Sequence, residues 1–216
     1  MTNKYLPINI SLENRRVLVV GGGDVALRKI EALLEYDCDI TVVSPKPNDK
    51  IEFFAGKNRL KLEKREYKIS EASDYGLVIS ASNNKDVNIQ VSDDCGKTGV
   101  PVNVVDNPPL CDFIFPAVVK RDFLSVAVST DGQAPFLAGQ IRMILEDIFP
   151  ERWKKIASYA AEFRKKVMAR WKGHPEKKAQ CYDRFVQADW QNILKDKSAD
   201  EIESYLNELI EDDVGK

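Results

Sequence analysis

Apolar and polar positions follow two different periods along the first half of the chain. Val17-Leu18-Val19-Val20 is a continuous apolar run bounded by polar residues and glycine, the pattern of a short strand buried on both faces of a parallel sheet. From Asp24 the period lengthens. Val25, Leu27, Ile30, Leu33 and Leu34 recur at three- and four-residue intervals, which predicts an amphipathic helix packed on that sheet and ending near Tyr36. Asp39-Ile40-Thr41-Val42-Val43 reads as a second strand stopped by Ser44-Pro45, and Leu77-Val78-Ile79-Ser80 as a later one after a polar, less regular stretch. Val87, Val91 and Cys95 predict a helix over 84–97 with Gly99 as its C-terminal cap, followed by a strand at Pro101-Val102-Asn103-Val104-Val105. Strands alternating with helices predict an α/β fold, a Rossmann-like doubly wound parallel sheet over residues 1–112.

The pattern then changes. Phe113 to Val119 and Phe123 to Val128 are strand-like runs around Lys120-Arg121-Asp122, which predicts an antiparallel hairpin with its turn at those three residues. Phe136, Leu137, Ile141, Ile144, Leu145 and Ile148 form a wide apolar stripe. A lone helix cannot hide such a stripe, so it must pack on the hairpin or on a second subunit. Residues 113–150 are thus expected to form a small α+β region and 151–216 a C-terminal helical domain, with Ile193, Leu194, Ile202, Leu206, Leu209 and Ile210 as packing positions.

At 216 residues, 44% hydrophobic and 31% charged, the chain has the composition of a soluble globular protein. No apolar run approaches the roughly 18 residues of a membrane span, and the amino terminus leads into no signal-peptide core, so a cytoplasmic location is expected, without a membrane partner. Cys38, Cys95, Cys111 and Cys181 lack C-x-x-C spacing, and His174 is the single histidine. Neither a disulfide framework nor a multi-histidine metal site is expected. The net charge of −2 conceals an asymmetry: between Glu151 and Lys178 ten basic residues face three acidic ones, and beyond Ala179 the balance reverses. Such a run is ordinarily a solvated face, and attraction of an acidic substrate is the alternative. No nucleic-acid-binding motif accompanies it.

Candidate chemistry begins at the first turn. Gly21-Gly22-Gly23-Asp24-Val25-Ala26 fits G-x-G-x-x-A between the first strand and helix. Gly21 permits the tight turn, Gly23 lets a pyrophosphate approach the backbone, and Ala26 allows close helix–strand packing, while the helix amino terminus adds N–H donors and a positive dipole end. The second strand ends Val43-Ser44-Pro45-Lys46, without the acid that usually holds the ribose 2′-hydroxyl, so the motif alone leaves NAD and NADP open. Ser80-Ala81-Ser82-Asn83-Asn84, Asn103 and Asp106 belong at the same carboxyl edge, where ligands bind in such sheets. Asp106 either faces the cleft or merely bonds nearby backbone in the turn before Asn107-Pro108-Pro109.

Tyr5-Leu6-Pro7-Ile8, the run Val17 to Lys29, Asn103-Val104-Val105-Asp106, Cys111-Asp112-Phe113-Ile114-Phe115-Pro116-Ala117 and Ser125 to Gly132 together resemble the precorrin-2 dehydrogenase (siroheme synthase dehydrogenase/ferrochelatase) family, a likeness that continues to about Pro150. The resemblance implies NAD-dependent oxidation of precorrin-2 to sirohydrochlorin, in some members followed by Fe2+ insertion, and a homodimer formed through the middle region. It places the general base at Asp106. The expected cofactor contacts are Gly21, Gly22, Gly23, Asp24, Val25, Ser44, Pro45, Lys46, Ser82 and Asn103, the expected substrate contacts Ser129 and Thr130, and no residue is assigned to a metal. The chain departs from the family pattern at Asn83-Asn84, where an acidic pair is usual, and at Thr130-Asp131 in the S-x-G-G loop. The rival reading from another class is a non-catalytic module that senses NAD(H).

Overall fold

The computed structural model describes residues 4–211. The described residues divide into two compact units, 4–115 with 129–134, and 116–128 with 135–211.

In the first unit, strands β1 (Arg15–Val20), β2 (Cys38–Val43), β3 (Lys61–Glu63), β4 (Leu77–Ser80) and β5 (Val102–Val104) form one parallel sheet in the order β3-β2-β1-β4-β5. Helices α1 (Asp24–Leu33), α2 (Asp49–Gly56) and α3 (Lys85–Thr98) make the crossovers. Successive side chains of β1 enter opposite cores. Val17 and Val19 pack with Ala26, Ile30 and Leu33 of α1 and Ile51 of α2, whereas Leu18 and Val20 pack with Val91 and Cys95 of α3. A strand covered on both faces cannot alternate apolar with polar, which is why its sequence reads as an unbroken run.

The polar stretch between β2 and β4 holds more than the sequence pattern predicts: α2, β3 and a short 3-10 turn, Glu71–Asp74. β3 has only three residues at the sheet edge and α2 buries a single residue, Ile51, so neither leaves a periodic apolar signal. Asn84, at a departure from the family pattern, caps α3, its side-chain oxygen accepting from the Asp86 N–H at 2.9 Å; Asn and Asp serve equally there. Gly99 closes the same helix at φ +71°.

The second unit contains the hairpin β6 (Ala117–Arg121) and β7 (Leu124–Val128), followed by α4 (Pro135–Ile148), α5 (Trp153–Arg170), α6 (Pro175–Gln187), α7 (Trp190–Asp196) and α8 (Ala199–Ile210). The turn lies at Asp122-Phe123 rather than at Lys120-Arg121-Asp122, because Lys120 and Arg121 pair with Ser125 and Leu124 and extend the strand. Asp122 takes the left-handed conformation, φ +60°, that such two-residue turns demand. Arg121 then donates to the carbonyls of Glu146 and Phe149 at the end of α4, the last-turn acceptors that have no partner inside the helix. Phe163, Val167, Trp171, Phe185, Trp190 and Leu206 build a separate helical core, with both indole N–H groups bonded to carbonyls, of Ile210 and Phe185.

Candidate cofactor and active site

Parallel strands put all their carboxyl ends on one side, so the β1, β2, β4 and β5 exits converge by topology. The strand order reverses between β1 and β4, and the glycine turn sits at that switch point. Gly21 has φ +116°, and a Cβ there would lie 2.3 Å from the Ala81 carbonyl oxygen. Its N–H donates to the Val43 carbonyl at 2.9 Å. A Cβ on Gly22 would meet the buried Ser44 hydroxyl at 2.5 Å. The second glycine, which the motif leaves unspecified, is therefore required by the neighbouring loop.

Gly23 behaves differently. A Cβ there would meet no atom within 4 Å, and the residue stands at the amino end of α1 with extended backbone and no side-chain cap. Open space in front of an uncapped helix amino terminus is what a pyrophosphate requires, and the residues present fit one. Asp24 accepts a hydrogen bond from the Asn48 side chain at 3.0 Å, while the Asn48 N–H donates to the Gly22 carbonyl at 2.7 Å. Asn48 thus clamps the first turn to the loop after β2. Its mark in the sequence is slight, an Asn directly before Asp49, a helix-cap signal that the structure realises through the Lys50 N–H.

Ser44 is buried and its hydroxyl accepts from the Lys46 N–H at 3.3 Å, whereas Pro45 and Lys46 are exposed beside it. Ser82 is held by Asn88, whose place inside α3 gives no sign of this role in the sequence: the Asn88 amide spans the Ser80 hydroxyl, the Ser82 N–H and the Ser82 carbonyl at 2.7, 3.2 and 2.9 Å. Asn103 does not present its side chain at the sheet edge. It is buried within β5, where its amide donates to the Phe113 carbonyl at 2.9 Å and fixes the returning loop.

That loop carries Asp106. Val105 donates to the Ser80 carbonyl and Asn107 to the Val104 carbonyl, so the chain turns sharply at the end of β5. Asp106 occupies the tip with φ +58° and an exposed side chain, and its carboxylate makes no hydrogen bond among the described residues. The loop is pinned from behind by the buried Cys111 thiol, which donates to the Val104 carbonyl at 3.1 Å, and by Asp112, which accepts from the Val102 N–H at 3.1 Å. Burial pushes the Cys111 thiol up from its ordinary value, as suits a packing group and not a nucleophile.

Ser129 and Thr130 belong with the first unit because Asp131 ties them to the amino-terminal segment. Its two carboxylate oxygens accept from the backbone N–H groups of Lys4 at 2.8 Å and Tyr5 at 3.1 Å. The Thr130 hydroxyl accepts from the Ala134 N–H, and the Ser129 hydroxyl from the Asp131 N–H. Among the described residues, no group of three or more His, Cys, Asp or Glu side chains is arranged to hold a metal ion, and no helix is long and apolar enough to cross a membrane.

A family model described as NAD(P)-binding matches residues 8–117. A siroheme synthase of Nitrosomonas europaea is 37% identical over 211 residues, 96% of this chain and 44% of the relative. One of Psychrobacter cryohalolentis is 40% identical over 164 residues, 76% of this chain and 31% of the relative. The chain spans less than half the length of these relatives. A solved structure of SirC, precorrin-2 dehydrogenase, is 26% identical with a TM-score of 0.76, covering 95% of this chain and 98% of the other. With a parallel sheet whose glycine turn lies at the switch point, and a family model spanning that sheet, the chain belongs to the NAD(P)-binding family, in a form similar over nearly its whole length to siroheme synthase and SirC.

Proposed function

We propose that this chain is a precorrin-2 dehydrogenase that uses NAD to form sirohydrochlorin in siroheme biosynthesis. The observation that carries this reading is the pairing, in one unit, of an open pyrophosphate cradle at Gly23 with an unengaged carboxylate, Asp106, at the same sheet edge. NAD supplies the hydride acceptor when bound. The chain supplies the rest. The Gly21–Gly23 turn and the first N–H groups of α1 bind the pyrophosphate, with Asp24, Val25, Ser44, Pro45, Lys46 and Ser82 around it. Asp106 takes the proton that ring oxidation releases, and its exposed, unbonded carboxylate is free to do so. The resemblance assigns tetrapyrrole contacts to Ser129 and Thr130. Their hydroxyls already accept backbone hydrogen bonds, so each has its proton left to donate to a substrate acceptor.

The working assembly is a cytoplasmic homodimer paired through the region 113–150. The support is α4, on which Phe136, Ile144 and Ile148 are 77%, 60% and 55% exposed, an apolar surface unusual for an isolated chain.

Purified protein mixed with precorrin-2 and NAD⁺ is expected to form sirohydrochlorin, followed by its visible absorption. Intact NAD binding without turnover would instead establish the NAD(H)-sensing module. Asp106→Asn is expected to lower kcat by about 10² or more while leaving NAD affinity within about twofold, and wild-type turnover by this variant removes the base assignment. Fe2+ added to the accumulated product in the same cuvette decides whether this chain also inserts iron.

A further inference from the structure

Lys29 lies on the face of α1 that turns toward the loop returning from β5. Its ammonium nitrogen stands 4.0 Å from the centre of the Phe115 ring. Side chains on a helix lean back toward its amino end, so a long lysine on the second turn reaches up toward the carboxyl edge of the sheet. The ring beneath it is itself anchored: Phe115 packs edge-on against Phe113 at 5.5 Å, and the Phe113 carbonyl is held by Asn103. Phe115 remains 36% exposed, so an aromatic surface and a cation are presented together.

This lysine is half-buried, yet among the described residues no carboxylate lies within 4 Å of it and no protein acceptor takes a hydrogen bond from it. Two exposed lysines of the same unit, Lys61 and Lys64, are by contrast paired with Glu63 at 2.6 Å and Glu52 at 2.7 Å. Burial pushes the Lys29 ammonium below its ordinary value and the neighbouring Arg28 charge does the same, while the field of Asp106 opposes both. Lys29 and Asp106 are therefore near enough to feel each other without forming an ion pair. A ring face engages one side of an ammonium, and the group has three donors. A half-buried cation left with donors to spare is a poor structural device and a good seat for an anion.

We propose that Lys29 receives a carboxylate of the acidic ring substrate and so seats that ring beside Asp106. The proposal rests on the dehydrogenase reading for the identity of the ligand, but it makes a claim of its own: a single lysine on α1, beside the loop that carries Asp106, is a substrate contact. Phe115 holds the ammonium in place when no anion is present, and its exposed part meets the apolar body of the ring.

The test compares wild type, Lys29→Met and Lys29→Arg in two measurements: equilibrium titration with sirohydrochlorin, and steady-state turnover of precorrin-2 with NAD⁺. Lys29→Met keeps the apolar stem on Phe115 and removes only the charge. It is expected to weaken sirohydrochlorin binding and raise KM for precorrin-2 by about tenfold or more, with kcat and NAD affinity within about threefold of wild type, and Lys29→Arg is expected to recover most of the loss. Unchanged binding and KM in Lys29→Met overturn the proposal. So does a loss confined to NAD affinity, which would make Lys29 a cofactor contact. Wild-type binding of sirohydrochlorin without turnover would sink the dehydrogenase reading while the titration still decides Lys29. A wild type that binds no tetrapyrrole overturns both.

Discussion

The three glycines of the first turn are not equivalent, and substitution separates them. Alanine at Gly21 would place its Cβ against main-chain atoms of Ala81, at 2.3 Å from the oxygen and 2.6 Å from the carbon, in a conformation that L side chains rarely adopt. The Ala81 main chain, just past β4, is tied to β1 by its N–H, which donates to the Val20 carbonyl at 2.7 Å, and has little room to yield, so Gly21→Ala is expected to lower Tm by several degrees as well as to abolish cofactor binding. Gly23→Ala meets no protein atom within 4 Å. It is expected to leave Tm within about a degree and to weaken NAD binding by about tenfold, roughly 1.4 kcal/mol, because the methyl group occupies space reserved for the ligand. Thermal melts with and without NAD check both. Equal loss of Tm in the two variants would show that Gly23 serves the fold instead.

At the scale of elements, the stretch that lacks regular apolar periodicity is held by a polar hub. Asp94 of α3 is 2% exposed. It accepts from the Ser70 N–H at 2.7 Å and the Tyr67 hydroxyl at 3.0 Å with one oxygen, and from Gln90 at 3.0 Å and Lys97 at 3.3 Å with the other. Burial alone would raise its carboxyl, but these bonds outweigh burial and hold it below the ordinary value. A group depressed in the folded state adds stability that is fully present above its unfolded value, about 3.9, and is lost as pH falls through the lower folded value. Acid denaturation below about pH 4 should therefore be less steep in Asp94→Asn than in wild type. Asp94→Ala is expected to cost about 2 kcal/mol at neutral pH by stranding the Ser70 and Tyr67 donors, measured by urea unfolding; a cost below about 0.5 kcal/mol would mean that water replaces the carboxylate.

For the whole molecule, the issue is what covers α4. Ala138 is its one buried residue, while Phe136, Leu137, Met143, Ile144 and Ile148 are all exposed. If this face pairs two copies, the protein sediments at about twice its 24.4 kDa chain mass, and Ile144→Asp shifts it toward the single chain. Wild type sedimenting as a single chain would remove the dimer from the proposed function.

Local pattern alone determined a good deal of this. The unbroken run Val17–Val20, the glycines after it and the helical period from Val25 fixed β1, the turn and α1, because burial on both faces and a left-handed glycine leave marks on neighbouring residues. Ordered motifs far apart in sequence pointed to the family. What the chain could not disclose is whatever depends on residues brought together from a distance. A three-residue edge strand has too little apolar surface to announce itself. Asn103 reads as an edge residue until the Phe113 carbonyl arrives to take its amide, and Gly22 has no stated purpose until Ser44 closes upon it. Lys29 is an ordinary helical lysine until folding sets an aromatic ring beneath it and a carboxylate nearby. Periodicity records which face of an element is buried; only tertiary structure decides which polar groups meet on the other.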